Sequence, residues 1–340
     1  MRRYDIDWVR VIAIGLLIIY HAAICFQPWG TMLAFSTNSE PWPGLWMPMA
    51  LLNVWRIPLL FFVSGMGVYF AMESRTPMQL IAERGQRIMV PYIFGIFVIV
   101  PIQIAIWRYH NGMSLSYAFN PAHLWFLGNI FAYVLIFVLA FYHMKKNPAV
   151  IRRIFSSPFG ILVLIVAMVA EAVIVKPYPY ELYAMTWHGF FLGMIAFFLG
   201  YSLALTGTPF WEMIARWRWA IFVAVALLAG LRLGVKSYVP LIPVESVCWI
   251  LLVLSLAYQY LNRPGRSLTY LSGAAYPVYI VHLIFQNTGG LLIFPLDIPV
   301  QIKFVLLIAF TFAGCILTYE IIRRTKVTRF LFGLKTKGTA

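Results

Sequence analysis

Acidic residues are scarce in this chain: eleven Asp and Glu stand against 26 Lys and Arg over 340 positions, leaving a formal charge of +15. Charge of either sign is sparse, at 11% of residues, whereas 62% are hydrophobic. A soluble domain carries about twice that charged fraction, so the composition excludes a water-solvated fold and demands lipid as solvent. The basic excess falls in loops between apolar runs, which marks membrane topology rather than a nucleic-acid partner. Cysteine is nearly absent. Cys25, Cys248 and Cys315 sit inside apolar runs without metal-ligand spacing, which argues against a zinc site and a disulfide framework. No clear small-x-small cleavage site follows the first apolar run. With Asp5, Asp7 and Arg10 in and beside it, that run reads as a retained span and not as a leader.

What the chain does have is apolar length. Ten spans can be drawn, at about 8–28, 45–70, 89–108, 122–142, 157–175, 184–204, 218–236, 244–261, 268–286 and 300–322. The expected fold class is therefore all-α: a polytopic membrane protein, a single bundle of about ten transmembrane helices with N- and C-termini cytoplasmic. Nineteen of the 26 Lys and Arg then fall inside, only Arg108, Lys176, Arg232, Lys236 and Lys303 lie at or near the outer face, and Arg10 and Arg56 lie within spans. No repeat or linker divides the chain, so residues 1–322 read as one transmembrane bundle and 323–340 as a basic cytoplasmic tail. Val327, Phe330, Leu331 and Leu334 in that tail suit a short amphipathic segment on the inner leaflet. The outer loops 27–44 and 176–183 are rich in Pro, Trp and Tyr; such segments anchor helix ends at the interface and also suit stacking on sugar rings.

The stretch Asp7–Cys25, DWVRVIAIGLLIIYHAAIC, places one cation and one imidazole in an otherwise apolar helix. Eleven residues at about 100° each bring Arg10 and His21 to one face, roughly 16 Å apart along the axis. That is about the reach of a pantetheine arm. Each residue also has a plain structural reading, snorkelling for Arg10 and packing for His21.

Other polar residues stand where a bilayer should not tolerate them. Arg56 lies near the centre of the second span, too deep to snorkel easily, and needs a partner. Glu245, at the outer start of the eighth span, is a suitable carboxylate for either His21 or Arg56. His123 and His282 lie on the outer half of two further spans. Three imidazoles there raise the question of a metal, but they belong to three different helices with no paired-ligand spacing, so none is expected. Arg84 and Arg87, three apart ahead of Pro91, suit either a phosphate clamp or plain inside-positive charge. Ser64 in FFVSG is read as helix packing, with Gly65 and Gly67, in preference to a nucleophile, and His188, His110 and His143 as packing or surface residues.

Taken together, DWVRVIAIGLLIIYH, RIPLLFFVSG (56–65), RGQRIMVPY (84–92), HLWFL (123–127), VESV (244–247), YPVYIVH (276–282) and YEIIRR (319–324) resemble, in the same order, the acyltransferase-3 family of integral membrane acyltransferases. Within it the chain is most similar to the osmoregulated periplasmic glucan succinyltransferase type. The resemblance implies a bacterial inner-membrane enzyme that moves an acyl group from cytoplasmic acyl-CoA, succinyl-CoA or acetyl-CoA, to a hydroxyl of an envelope glycan, with membrane lipid as its other partner. It matches His21 to the family's essential His and Arg10 to its essential Arg, and places Arg56, His123, Glu245 and His282 at recurrent motif positions. The expected catalytic set is His21, Arg56, Glu245, His123 and His282, with Arg10, Arg84 and Arg87 binding the CoA nucleotide and no metal. His21 would act as general base, an acyl-His intermediate being the alternative. The competing reading is a proton-coupled transporter or flippase; no matched pair of broken helices or repeat supports it. Oligomeric state is not legible.

Overall fold

The computed structural model describes residues 3–234 and 240–335, which leaves Lys236 and tail positions 336–338 outside the described residues. Ten helices are long and apolar enough to cross a membrane. They are α1 (Tyr4–Ile24), α2 (Trp46–Ala71), α3 (Pro77–His110), α4 (Trp125–Lys146), α5 (Pro158–Val175), α6 (Trp187–Thr206), α7 (Thr208–Gly234), α8 (Leu241–Tyr260), α9 (Arg266–Ile293) and α10 (Val300–Ile322). No strand occurs among the described residues. This all-helical solution follows from the solvent, because lipid offers nothing to a backbone N–H or C=O and a helix pairs both internally. All ten expected spans are present. α7 begins ten residues ahead of the expected 218, since its first turns carry Glu212, Arg216 and Arg218 and score as polar while still coiling.

The third helix is longer than expected and is not uniform. It contains two π turns, Gly85–Met89 and Gly95–Ile99, each followed within two residues by a proline, Pro91 or Pro101. Proline has no N–H to return to the preceding turn, so the ladder opens just upstream of it. Arg84 ends an α segment and Arg87 lies inside the first π turn, so the regular three-residue spacing assumed for them is broken.

Two compact units partition the chain. The first comprises residues 3–10, Ala50–Arg84 and Gly128–Leu268; the second comprises Val11–Met49, Gly85–Leu127 and 269–335. In the first unit α7 packs along α8, and α5 packs on α6 and α8. There α2 and α6 meet backbone to backbone. A Cβ on Gly65 would stand 1.9 Å from the Phe197 carbonyl oxygen, and one on Gly200 would stand 2.0 Å from that of Phe62. The small residues of FFVSG therefore pack, as expected, and Ser64 returns its hydroxyl to the Leu60 carbonyl at 2.7 Å. Gly67 differs, with nothing within 4 Å of its missing Cβ.

Gly65→Ala should therefore lower stability by about 2 kcal/mol or more, because the blocking atom is backbone and cannot rotate away. Gly67→Ala should be neutral or slightly stabilising. Melting midpoints in one detergent check the pair, and equal midpoints for both variants would remove the close crossing.

Candidate active site

His21 stands on the last turn of α1, and its neighbours come from the second unit. The His282 ring of α9 lies nearly coplanar with it, edge to edge, with centroids 5.1 Å apart at 18° and His21 Nδ1 2.8 Å from His282 Nε2. His282 is fully buried, and its Nδ1 lies 2.7 Å from the Tyr279 carbonyl oxygen, three residues back on the same helix. The Phe35 ring meets His21 edge-on at 5.2 Å. His123 completes the cluster, its ring perpendicular to His282 at 5.1 Å and its Nε2 3.0 Å from the Ile280 carbonyl oxygen. The Tyr279 hydroxyl donates to the His123 carbonyl. Thus HLWFL and YPVYIVH, far apart in sequence, are bonded to each other.

These contacts assign the protons. A carbonyl oxygen only accepts, so His282 Nδ1 carries a hydrogen and, in the neutral ring, its Nε2 offers a lone pair. His21 Nδ1 must then donate to it. The lone pair of His21 is left on Nε2, the nitrogen that can take a proton from a reacting group. A proton arriving there makes an imidazolium whose Nδ1–H bond to His282 becomes charge-assisted and stronger. His123 is fixed likewise, with Nε2–H on Ile280 and an Nδ1 that has no protein partner.

The three imidazoles predicted on separate helices are thus neighbours, which spacing alone did not show. His21 Nδ1 and His282 Nε2 face each other, and His282 Nδ1 and His123 Nε2 face backbone carbonyls. Among the described residues no group of three or more His, Cys, Asp or Glu is arranged to hold a metal ion.

Arg56 and Glu245 belong to the first unit. Arg56 on α2 is buried, at 1% exposure, as its position in the span predicted. Glu245 does not have the partner expected for it. Arg232, near the end of α7, grips its carboxylate bidentately, Nε to Oε2 at 2.6 Å and Nη2 to Oε1 at 3.0 Å. Trp249 Nε1 adds a third donor at 3.3 Å, and Arg232 also reaches the Ala50 carbonyl at 3.2 Å. The physical reason is antiparallel packing: α7 and α8 lie side by side, so a cation ending one faces a carboxylate opening the next. Sequence reading counted Arg232 as outer-face charge. Its position just before the next span's only acid was the available signal.

Arg10 lies at the start of α1, 39% exposed in its side chain, with Asp7 at 3.7 Å. Because α1 runs unbroken from Tyr4 to Ile24, the spacing of roughly 16 Å between Arg10 and His21 along one helix holds. Arg84 Nη2 donates to the Gly67 carbonyl at 3.1 Å within the first unit, and Arg87 Nε to the Gly333 carbonyl at 3.4 Å within the second. The two guanidiniums thus bond separate carbonyls.

One buried pair escaped sequence reading. His188, taken as packing, places Nδ1 2.9 and 3.1 Å from the two carboxylate oxygens of Glu171 on α5. Tyr183 stacks on its ring at 5.3 Å and Tyr180 lies at 4.8 Å. Burial, reinforced by the Glu171 and Glu181 carboxylates, holds the Tyr180 phenol well above its usual value, so it stays protonated. Glu171, a lone acid in AMVAEAVIV, was the signal.

Ten helices long and apolar enough to cross a membrane, among the described residues, define a polytopic membrane protein. A family model described as an acyltransferase domain matches residues 3–320, nearly the whole length, and the chain belongs to that acyltransferase family. No curated protein and no solved structure matches it.

Glu245→Ala, which strands the Arg232 guanidinium, should cost about 3–5 kcal/mol. Replacing both residues together by Leu should recover most of that loss. Melting midpoints of the two single variants and the double test it; an additive double variant would mean that the pair is not coupled.

Proposed function

We propose that this protein is an acyl-CoA-dependent O-acyltransferase, with His21 as general base and a hydroxyl of an envelope glycan as acceptor. The observation that carries the reading is the hydrogen-bond chain from the Tyr279 carbonyl through His282 to His21, which leaves a lone pair on His21 Nε2. Membership of the acyltransferase family supplies the reaction class.

In the proposed reaction His21 Nε2 takes the proton of the acceptor hydroxyl as its oxygen attacks the thioester carbonyl. The C–O bond forms, the tetrahedral oxyanion collapses, the C–S bond breaks, and the His21 imidazolium returns the proton to the leaving thiolate. His282 holds His21 in the reactive tautomer and shares the charge, and His123 supports His282. Arg10, at the other end of α1, is a suitable contact for the CoA phosphates, with Arg84 and Arg87 as further basic groups. With the termini in the cytoplasm, as loop charge predicts, the donor enters from inside and only the acyl group changes sides. Of the possible donors we favour succinyl-CoA, because buried Arg56 is a natural partner for its free carboxylate, and of the acceptors a periplasmic β-glucan, by resemblance. The bacterial inner membrane follows from the same reading.

Release of CoA from acetyl-CoA and succinyl-CoA by protein in lipid, with and without a β-glucan, tests this. Glucan-stimulated release from one donor is expected, lost in His21→Ala and reduced about 10²- to 10⁴-fold in His282→Ala. No release from either donor would overturn the reading. In the same assay Arg56→Ala should abolish succinyl transfer while acetyl transfer remains measurable. Equal loss of both would remove the carboxylate-binding role.

A further inference from the structure

Next to the imidazole pair the second unit holds a group of buried polar atoms that its own fold does not satisfy. Gln286 lies one turn beyond His282 on α9, on the same face, and is fully buried. Its Nε2 donates to the Ile18 carbonyl at 2.8 Å, which fixes the amide's orientation and leaves Oε1 without a protein partner. The next residue, Asn287, ties two other segments to this point: Oδ1 accepts from the Ser36 N–H at 3.2 Å and Nδ2 donates to the Gln103 carbonyl at 3.4 Å. Both tied residues carry unpartnered side-chain atoms, Ser36 Oγ and Gln103 Oε1, in side chains that are essentially buried. Trp107, one turn along α3 from Gln103, has an unpartnered indole N–H.

The position of this group relative to the base is set by adjacent residues. Phe35, whose ring meets His21, precedes Ser36, and Asn38 donates its backbone N–H to the Cys25 carbonyl at 2.8 Å, one turn past His21. Asn38 Oδ1 is a further acceptor without a protein partner. The segment from Phe35 to Asn38 is therefore pinned between the end of α1 and α9. Through Phe35 it touches the His21 ring, at the opposite end of α1 from Arg10.

Their chemistry discriminates between the two substrates of an acyl transfer. Three amide oxygens only accept, a serine hydroxyl does both, and an indole donates. A buried polar atom left unpaired is costly, so such a set favours a ligand that brings O–H groups on neighbouring atoms together with acceptors. An acyl thioester brings no O–H, and a lipid tail brings neither. We infer that Gln103, Gln286, Ser36, Asn38 and Trp107 form the acceptor subsite, and that it binds a polyhydroxylated ligand through vicinal hydroxyls, presenting one of them to His21. The indole supplies an apolar face of the kind on which a sugar ring packs. This deepens the transferase reading and rests on it for the role of His21. The binding itself does not depend on acyl transfer.

Gln103→Leu and Ser36→Ala remove the unpartnered Gln103 Oε1 and Ser36 Oγ, so a merely structural role predicts unchanged or higher melting midpoints. The probe is a β-gluco-oligosaccharide, added without donor to protein in lipid nanodiscs. It should raise the wild-type midpoint, and binding should weaken about tenfold in each variant. In the transfer assay the KM for the oligosaccharide should rise by a similar factor while that for the acyl-CoA moves less than twofold. The wild type should also prefer glycerol to n-propanol as acceptor, a preference both variants reduce. Oligosaccharide binding that is absent from the wild type, or equal in wild type and both variants, overturns the subsite, even where CoA release continues. Binding lost in the variants without any CoA release sustains the subsite and sinks the transferase instead.

Discussion

The bond from His282 Nδ1 to the Tyr279 carbonyl decides the polar geometry of the second unit. A ring nitrogen facing a carbonyl must carry the hydrogen, and that choice passes through the edge-to-edge bond to His21. If His282 were held in the other tautomer, two N–H groups would face each other at 2.8 Å or His21 would have to turn its lone pair toward His282. Short spacing on one helix makes the arrangement possible. Tyr279, Ile280 and His282 supply a carbonyl for His282, a hydroxyl for the His123 backbone, a carbonyl for the His123 ring, and the relaying imidazole itself.

Many polar groups elsewhere in the chain are paired internally, as an apolar solvent favours. Lys303 turns Nζ to the Phe294 carbonyl at 2.8 Å, Thr311 returns its hydroxyl to Leu307 at 2.7 Å, and Tyr201 donates to the Phe141 carbonyl at 2.7 Å. The Arg232–Glu245 pair follows the same rule with full charges, using two short bonds to offset the desolvation of both groups. Other buried atoms are unpartnered as well, among them Tyr180 Oη, Ser246 Oγ and Ser272 Oγ, but those of Gln286, Gln103, Ser36 and Asn38 are linked to one another and to the surroundings of His21 through Asn287 and the end of α1.

Hydropathy alone revealed the ten helices, because length and apolarity suffice to define a span and lipid leaves the backbone no alternative. The same rule singled out Arg56, His21 and Glu245, since an ionisable group in an apolar run is conspicuous. What it does not encode is which faces meet. His21 and His282 are 261 residues apart and their contact depends on how α1 and α9 dock, so no local spacing announces it. Glu245 shows the converse error: the acid was found but offered to His21 or Arg56 and not to Arg232, which had been read as topology. Gln103 and Gln286 carry no charge and scarcely disturb a hydropathy profile, yet a buried amide costs more to leave unpaired than most charged surface groups gain by pairing. The π turns of α3 were missed for another reason: the span drawn at 89–108 contains Pro91 and Pro101, but hydropathy does not report that the helix absorbs each by widening a turn upstream.

The choice of a neutral partner for His21 has an electrostatic rationale. A carboxylate beside the base would place a permanent charge in the apolar bundle, to be stabilised before any reaction began. Glu171 and His188 show that the first unit accommodates such a pair, and there it is enclosed by two tyrosine rings. Two neutral imidazoles would bring no formal charge to the resting site. In the proposed reaction charge arises only when His21 takes the acceptor's proton, together with an oxyanion of opposite sign a few ångströms away. In a medium of low dielectric that simultaneous pair is strongly favoured over either ion alone. In that proposed reaction a relay of neutral rings would reserve its electrostatic stabilisation for the transition state, where it accelerates the reaction, and not for the ground state, where it would only tighten binding.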